Sequence, residues 1–377
     1  MRVTIIGSGF AAMAALRRLL DKPGTDSLEL TLIAPNDHFT YMPSLIWIPS
    51  GLRKGDDLRS PLSRFFDRWN IRHVKSSVTE ISDGGRTVLT EEGSVENDAL
   101  LIASGGRYMA KAPGIEHTLN PCSGIDAAEK VRDRIREMNG GVVAMGFAGN
   151  PKEPAAVRGG PLFEFLFGLH TQLQRERRRD RFELHFFTPM PQPGKRLGPT
   201  AVKGLLAAMK ARNITTHLGS KIKQFEPGRI TTEAESFKSD LTLFLPGMTG
   251  HPWYQKTGLP LSPGGFIQAD AHAKVADVER VYVAGDAGSF PGPDWKAKQA
   301  HMAELQANTA ADNLYRELIH NKSPNKTFRT ELVCIVDTLE NGMLVSRFPR
   351  LNIMLPPLRL MHWVKRMLEK KTTRRLR

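Results

Sequence analysis

Residues 2–12, RVTIIGSGFAA, decide the fold of the chain that follows them. The first five of these residues are mostly β-branched and predict a strand. The next six form a G-x-G-x-x-A turn, and an apolar helix from Ala11 to Leu20 follows. Gly7 permits the tight turn, Gly9 lets the backbone approach a pyrophosphate, and Ala12 lets helix and strand pack closely. With a second strand behind it, this order predicts a dinucleotide-binding unit whose pyrophosphate lies at the helix N-terminus.

The composition is that of a globular protein. The chain has 377 residues, which is enough for two domains that each bury a core. Hydrophobic residues make up 40% and charged residues 24%. No run approaches the roughly 18 apolar residues of a membrane span. Two cysteines exclude a disulfide scaffold and favour a reducing compartment. Because the first residues are already core strand, we expect no signal peptide.

The net charge of +14 is unevenly distributed along the chain. Residues 358–377 hold eight Lys or Arg against one Glu, a net +7. Within them, residues 358–368 combine apolar and basic side chains at helical spacing. A basic amphipathic helix that contains a Trp is predicted to lie in an anionic membrane interface. Two alternatives stay open, namely a helix packed on its own domain and a disordered tail. Nucleic acid is not an expected partner, because no recognised reading module is present.

Strand and helix patterns alternate along the chain, which predicts an α/β fold. Five further strands are predicted, at residues 99–103, 141–145, 182–187, 241–245 and 281–286. Helices are predicted from Pro161, over residues 201–212 and over residues 300–318. Three glycine-containing turns, far apart in the chain, follow predicted strands. They are the turn at Gly7, the end of the strand at Ser104-Gly105, and the end of the strand at Gly285-Asp286.

These three features together resemble the two-dinucleotide-binding-domain flavoproteins. The resemblance implies two Rossmann-like domains and FAD as cofactor, with Asp286 accepting a ribityl hydroxyl. It predicts a discontinuous FAD-binding domain over 1–118 and 240–320, a second, degenerate dinucleotide-binding-like domain over 119–239, and a C-terminal region over 321–377 that covers the flavin. The usual acidic residue on the adenosine ribose is absent, and Asn36 is expected in its place. The implied cofactor-binding residues are Gly7, Gly9, Phe10, Ala11, Asn36, Ser104, Gly105, Gly285, Asp286 and Lys298.

Four segments resemble the sulfide:quinone oxidoreductase and flavocytochrome c sulfide dehydrogenase family more closely. They are the loop 36–44 with Trp47, the crossover 121–129 with Cys122, the turn 293–301 with Lys298, and the strand 333–337 with Cys334. The resemblance implies an oxidoreductase that passes two electrons from a reduced sulfur compound through FAD to a membrane quinone. Cys334 would handle the sulfur, and Lys298 would stabilise the reduced flavin. It implies a peripheral membrane protein, which we expect on the cytoplasmic face.

One departure from this family concerns its central catalytic cysteine. The neighbourhood of that cysteine reads Gly149-Asn150-Pro151-Lys152-Glu153 and holds no thiol. The usual two-cysteine relay therefore cannot form, so Cys334 acts alone or the donor reaches the flavin directly. Residues 39–52 hold no cysteine either, which excludes a glutathione-reductase-like dithiol. We interpret Cys122 as a structural thiol.

A nicotinamide cofactor is not favoured at the second glycine-rich turn, residues 141–154. Two prolines and a Lys-Glu pair stand where a helix should begin on a pyrophosphate. Two alternatives remain: an NAD(P)H:quinone oxidoreductase of the type II NADH dehydrogenase kind, and a non-catalytic redox-sensing flavoprotein. Glu164 and His301 have the chemistry to move protons but are interpreted as ordinary polar residues of helices. No metal site is predicted, and a homodimer is left open.

Overall fold

The computed structural model describes residues 1–376. Seven α-helices occur in this part of the chain. They are α1 Phe10–Leu20, α2 Ser63–Arg68, α3 Ile125–Glu137, α4 Gly160–Arg175, α5 Pro199–Lys210, α6 Ala300–His320 and α7 Arg359–Arg374.

The strands are short, and nine of them form two parallel sheets. In chain order they are β1 Arg2–Ile6, β2 Glu29–Ile33, β3 His38–Thr40, β4 Arg59–Pro61, β5 Arg72–Val74, β6 Val78–Ser82, β7 Thr87–Thr90, β8 Gly93–Glu96, β9 Ala99–Ile102, β10 Arg107–Tyr108, β11 Gly141–Phe147, β12 Phe182–Thr188, β13 Ile214–Leu218, β14 Ile222–Glu226, β15 Arg229–Thr232, β16 Ser236–Lys238, β17 Leu241–Leu245, β18 Met248–Thr249, β19 Ile267–Gln268, β20 Val281–Val283, β21 Gly288–Ser289, β22 Leu332–Asp337, β23 Gly342–Phe348 and β24 Leu351–Met354.

The first parallel sheet has the strand order β20-β9-β1-β2-β5. Its central strand β1 pairs with β2 and with β9, so that Ile5 lies beside Leu32 and Leu101. These strands are buried on both faces, as near-continuous apolar runs predict for parallel sheets. Helices α1 and α6 pack against each other over the sheet. The carboxyl ends of β1, β9 and β20, which carry the three sequence features, therefore meet at one edge.

The second parallel sheet has the order β13-β12-β11-β17 and packs under α4. Helix α4 is buried over most of its length, from Leu162 to Leu173. It begins at Gly160, thirteen residues after β11 ends at Phe147. The predicted late start of this helix is thus confirmed, and so is the α/β fold with two Rossmann-like pieces.

The C-terminal region is an antiparallel sheet, β22-β23-β24, followed by α7. The buried face of α7 consists of Met361, Lys365, Glu369 and Thr373, spaced four residues apart. Its exposed face is apolar, with Leu360, Trp363, Met367 and Leu368 each 46–57% exposed. Lys365 is one of the basic residues of this helix, and it lies on the buried side.

The charges on the buried side of α7 have partners. Lys365 forms an ion pair with Glu164 of α4. Glu369 forms an ion pair with Arg53, at 2.8 Å between Oε1 and Nε. Paired charges tolerate burial, whereas single buried charges do not. The helix is therefore held to the protein by its polar side, and its apolar side faces outward.

Candidate active site

A cavity of about 1690 Å³ runs from the carboxyl edge of the first sheet to the C-terminal sheet. Such an edge is where open α/β sheets bind ligands. The cavity is lined by all ten residues predicted to bind the cofactor, and also by Cys122 and Cys334. The sequence features that the chain separates by nearly three hundred residues thus share one continuous space.

The dinucleotide turn has the geometry that a bound pyrophosphate requires. Gly7 has φ +112°, and a Cβ on it would lie 2.4 Å from the carbonyl oxygen of Ala103. Gly9 caps α1, and a Cβ on it would meet no protein atom within 4 Å. No side chain caps this helix and its first turn holds no acidic residue. The first N–H groups of α1 are therefore open to an anion from the cavity.

The turn after β20 lies beside this helix. Gly285 has φ +71°, and its N–H donates to the side-chain oxygen of Gln306 at 3.0 Å. Asp286 forms an ion pair with Arg158 through Oδ2, and within residues 1–376 its Oδ1 has no hydrogen-bond partner. That oxygen is available to a ribityl hydroxyl. These observations show that the residues present fit FAD.

Lys298 lines the cavity, but its ammonium group points to protein carbonyls. Nζ donates to the backbone oxygen of Asp286 at 3.1 Å and to that of Gly288, and it lies 3.9 Å from the centre of the Phe266 ring. Burial lowers the pKa of Lys298 to about 8, although Asp286 and Glu153 oppose this shift. Lys298 therefore braces the turn that carries Asp286, and its predicted contact with the flavin stays a prediction.

The strand β9 ends in a turn held by Tyr254. The Tyr254 hydroxyl contacts Oγ of Ser104 at 2.9 Å and donates to the carbonyl oxygen of Gly105 at 2.8 Å. Gly105 has φ +77° with open space beside it.

Two other predicted cofactor-binding residues lie elsewhere on the cavity wall. Phe10 packs edge-on against Phe39, with ring centres 5.0 Å apart. Asn36 is exposed at the cavity rim.

Cys334 lies in β22, next to the first turn of α4. A Cβ on Gly160 would be 3.9 Å from its Sγ. Burial raises the pKa of the Cys334 thiol to about 12, and the Glu164 carboxylate adds to the shift. The same cause raises the pKa of the Cys122 thiol to about 12. Both thiols are therefore protonated at neutral pH, and a reaction at either of them needs a base to remove the proton.

A buried ionic cluster under α7 was not predicted as a site. Glu164 accepts a hydrogen bond from Lys365 and another from the backbone N–H of Asp337, at 2.8 Å. Asp337 in turn accepts from Nε1 of Trp47 at 3.0 Å and contacts Nδ1 of His362 at 2.6 Å. In the sequence, the only sign of this cluster is an acidic residue, Glu164, near the start of an apolar helix. Its partners lie about two hundred residues further along the chain.

Burial raises the pKa of Glu164 to about 7, although Lys365 opposes the shift. Burial also acts on Asp337, but hydrogen bonds from His362 and Trp47 and the charge of Lys365 outweigh it and lower its pKa. Glu164 and Lys365 both line the cavity near Cys334. A carboxyl group with a pKa near neutrality at the wall of a cavity is suited to give and take protons. His301, by contrast, pairs with Glu331 at the cavity rim, at 2.9 Å.

At the second glycine-rich turn, other segments of the protein pack closely against the backbone. The side-chain nitrogen of Asn150 donates to the carbonyl oxygens of Met248 and Gly264, at 2.9 and 3.3 Å. A Cβ on Gly247 would lie 2.4 Å from the carbonyl carbon of Gly149. Backbone thus packs against backbone at this turn, and the first turn of α4 lies beside Cys334. That the turn does not bind a nicotinamide cofactor stays a prediction.

Comparisons with known proteins identify a family and a relative that is similar over most of the chain. The family model described as pyridine nucleotide-disulphide oxidoreductase matches residues 1–307. The sulfide-quinone reductase of Aquifex aeolicus is 25% identical over 367 residues, covering 90% of this chain and 82% of that protein. This finding confirms the resemblance drawn from the sequence.

Two further matches bear on the fold and on the alternative function. The crystal structure of the sulfide:quinone oxidoreductase from Aquifex aeolicus superposes with a TM-score of 0.90 at 22% identity, covering all of this chain and 91% of that one. At that identity the match shows the fold. A type II NADH:quinone oxidoreductase of Staphylococcus saprophyticus is 27% identical over 104 residues, 28% of this chain and 26% of that protein.

Proposed function

This chain belongs to the pyridine nucleotide-disulphide oxidoreductase family and is an FAD-dependent oxidoreductase, and on that premise we propose that it passes two electrons from a reduced sulfur donor to a membrane quinone. One observation carries the proposal. A single cavity joins the dinucleotide turn to the Cys334 thiol and to the buried pair of Glu164 and Lys365. The cavity therefore combines a place for sulfur chemistry with a place for proton transfer.

FAD supplies the electron transfer when it is bound, since it accepts two electrons from one substrate and releases them to another. The chain supplies the thiol, the protons and the position of each. Cys334 is protonated in its buried setting, so sulfur transfer at this thiol requires a proton acceptor. Glu164, whose charge raises the pKa of Cys334 and which lines the same cavity, is a candidate for that role.

Reduction of a quinone consumes two protons, which must be delivered inside an apolar cavity. Glu164 is suited to deliver them because its pKa is about 7 and it lines the cavity. Leu368 and Thr372 of α7 line the same space. We propose that the quinone enters along the edge of α7, where its apolar ring would meet Leu368.

Attachment to a membrane is the second part of the proposal. The outward face of α7 exposes Trp363 to 56% and Leu360 to 57%. Leu351 and Ile353 of β24 add further exposed apolar area, and basic side chains surround it. Exposed apolar surface beside lysines and arginines favours an anionic membrane interface. Within residues 1–376, no helix is both long and apolar enough to cross a bilayer.

The test is anaerobic reduction of the purified yellow protein. We expect sulfide to bleach the flavin absorbance and a short-chain quinone to restore it. NADH should leave the flavin oxidised over the same time. Failure of sulfide to bleach the flavin under these conditions would contradict the proposed donor, and failure of quinone to restore the absorbance would contradict the proposed acceptor.

A second candidate is an NADH:quinone oxidoreductase, which the partial likeness to the Staphylococcus saprophyticus enzyme favours. Bleaching by NADH and not by sulfide would establish it. The packing of Gly149 and Asn150 against Gly247 opposes it, because a pyrophosphate would have to displace this backbone. For this candidate, the nicotinamide would need another route to the flavin.

A further inference from the structure

A largely buried arginine lies on the cavity wall just before α4 begins. Arg158 stands two residues ahead of Gly160, lines the cavity, and has a side chain that is 23% exposed. Its Nη2 forms an ion pair with Oδ2 of Asp286. Within residues 1–376, no other carboxylate lies within 4 Å of this guanidinium group. The ion pair therefore joins the loop before α4 to the turn after β20.

Close packing and uncharged neighbours define the surroundings of Arg158. A Cβ on Gly159 would lie 2.6 Å from the buried ring of Phe147, so the backbone next to Arg158 is held against the end of β11. Tyr108 and Cys122 are also close to its side chain. Burial raises the pKa values of both groups, and the charge of Arg158 opposes both shifts. Both neighbours are therefore neutral near pH 7, and Asp286 is the group that balances the charge of Arg158.

Two cations contact Asp286, and they differ in the atoms they contact and in their pKa. Lys298 donates to the backbone oxygens of Asp286 and Gly288, and burial lowers its pKa to about 8. Arg158 contacts the carboxylate itself. Burial acts to lower the pKa of Arg158, but the charge of Asp286 opposes this, and the pKa lies above its ordinary value. Arg158 is therefore a cation at every pH near neutrality, whereas Lys298 loses its proton as the pH rises through about 8.

The ion pair relates Arg158 to the place of the cofactor. Oδ1 of Asp286 is open to a ribityl hydroxyl, and Arg158 holds Oδ2 of the same carboxylate. Two residues after Arg158, a Cβ on Gly160 would lie 3.9 Å from Sγ of Cys334. The cavity wall thus continues from Asp286 through Arg158 to the thiol. Because the ribityl chain of FAD carries the ring that accepts electrons, the charge of Arg158 acts on that ring at short range.

We propose that Arg158 raises the reduction potential of the bound FAD. Reduction adds negative charge to the flavin, and a fixed cation stabilises such charge most strongly where water is excluded. Arg158 also balances the charge of Asp286, which would otherwise oppose the arrival of electrons. It is a positioning residue, because it holds the Asp286 carboxylate and supplies charge without taking up electrons or protons. This role requires bound FAD and is the same for a sulfur donor and for NADH, so it stands apart from the proposed function.

The test measures the potential of the flavin in charge variants of Arg158. Arg158→Gln keeps N–H donors for Asp286 but loses the charge. Its FAD should be harder to reduce by roughly tenfold or more in the equilibrium constant, which is a fall of about 30 mV for a two-electron couple. Arg158→Lys keeps the charge and should recover most of this shift. Anaerobic titration against a reference dye, followed by flavin absorbance, counts only the molecules that hold FAD.

Arg196→Gln is the matched control, because it removes the same charge from another part of the cavity lining. Arg196 donates to the backbone oxygen of Ala155 at 3.3 Å, and the carboxylate that acts on its pKa is Glu153 and not Asp286. We expect this variant to keep the potential of the unmodified protein. Asp286→Asn tests the pair from its other side. It leaves the charge of Arg158 unbalanced, so the potential of its FAD should rise.

A lower potential in Arg158→Gln, recovered in Arg158→Lys and absent from Arg196→Gln, supports this role of Arg158. An unchanged potential in Arg158→Gln overturns it, and so does an equal fall in Arg196→Gln, which would make the effect one of total charge. Where Arg158→Gln holds too little FAD to titrate, Asp286→Asn decides, since an unchanged or lower potential there overturns the role. Failure of sulfide to bleach the unmodified protein would contradict the proposed donor and leave the role of Arg158 standing.

Discussion

Lys365 of α7 donates a hydrogen bond to Oε1 of Glu164 in α4, and both side chains are more than nine-tenths buried. This pair joins the helix that exposes the apolar face to the helix that begins beside Cys334. It also forms part of the cavity wall. The same contact therefore holds α7 in place and opposes the rise that burial causes in the pKa of Glu164.

Replacing Glu164 with Gln should slow quinone reduction by about 10²-fold or more, because the variant cannot transfer a proton. Glu164 has a pKa of about 7, so it is protonated below that pH and ionised above it. In the unmodified protein the rate of quinone reduction should therefore fall as the pH rises through about 7. Glu164→Gln should lack this fall. The measurement is the pH profile of flavin reoxidation by quinone in stopped flow.

Glu176→Gln is the matched control, since Glu176 caps the exposed end of α4 outside the cavity. It should keep the pH profile of the unmodified protein. Thermal melting separates this effect from instability, because Gln still accepts a hydrogen bond from Lys365 but leaves its charge without a partner. An identical pH profile in folded Glu164→Gln would rule out the proton role.

Replacing Cys334 with Ser should abolish sulfide-dependent bleaching through the thiol, because a hydroxyl cannot carry a persulfide. Cys122→Ser is the comparison, since it removes the other buried thiol that lines the cavity. We expect Cys122→Ser to retain bleaching. Full-rate bleaching in Cys334→Ser would mean that sulfide reduces the flavin directly and that Cys334 is a packed core residue.

Replacing Trp363 with Ser should weaken binding to vesicles that contain phosphatidylglycerol. Burial of a large apolar side chain contributes about 1.5–3 kcal/mol, which is roughly a 10- to 100-fold change in the partition coefficient. Trp69→Ser is the control, because Trp69 is 41% exposed but lies in the first domain, away from α7. Sedimentation with vesicles measures the effect, and equal partitioning of both variants would contradict the membrane role of α7.

Two glycines of the dinucleotide turn should respond differently to a methyl group. Gly7→Ala places Cβ against the Ala103 carbonyl at a positive φ, so it should cost more than about 1 kcal/mol of folding free energy. Gly9→Ala meets no protein atom within 4 Å and should fold normally, but it should bind FAD more weakly because the backbone can no longer approach the pyrophosphate. Melting temperature and FAD content measure the two effects. Full FAD occupancy in Gly9→Ala would contradict this location of the pyrophosphate.

The residues of the dinucleotide turn could be predicted from the sequence because they are close together in the chain. A strand, Gly7, Gly9 and a helix are consecutive, and each position has a backbone reason for its residue type. The carboxyl ends of β9 and β20 could be added because parallel strands end at the same edge of a sheet. Helix α4 was also predicted to start late, since Pro161 and the glycines before it interrupt any earlier helix.

The residues around Glu164 and α7, at the other end of the cavity, could not be predicted in this way. Glu164 was interpreted as an ordinary helix residue because its partner Lys365 is 201 positions away. The residues that hold α7 to the protein could not be predicted for the same reason. Helical spacing showed an apolar face, but which face packs inward depended on where Arg53 and Glu164 lay in space.

The sequence by itself determined the α/β class, the dinucleotide turn, the absence of the second relay cysteine and the amphipathic character of α7. Each of these depends on residue types at short spacing, where backbone geometry alone relates position to structure. Only the tertiary structure decided that Cys334, Glu164 and Lys365 share a cavity. Burial and pairing depend on contacts between residues far apart in the chain, and these contacts set the pKa of Glu164.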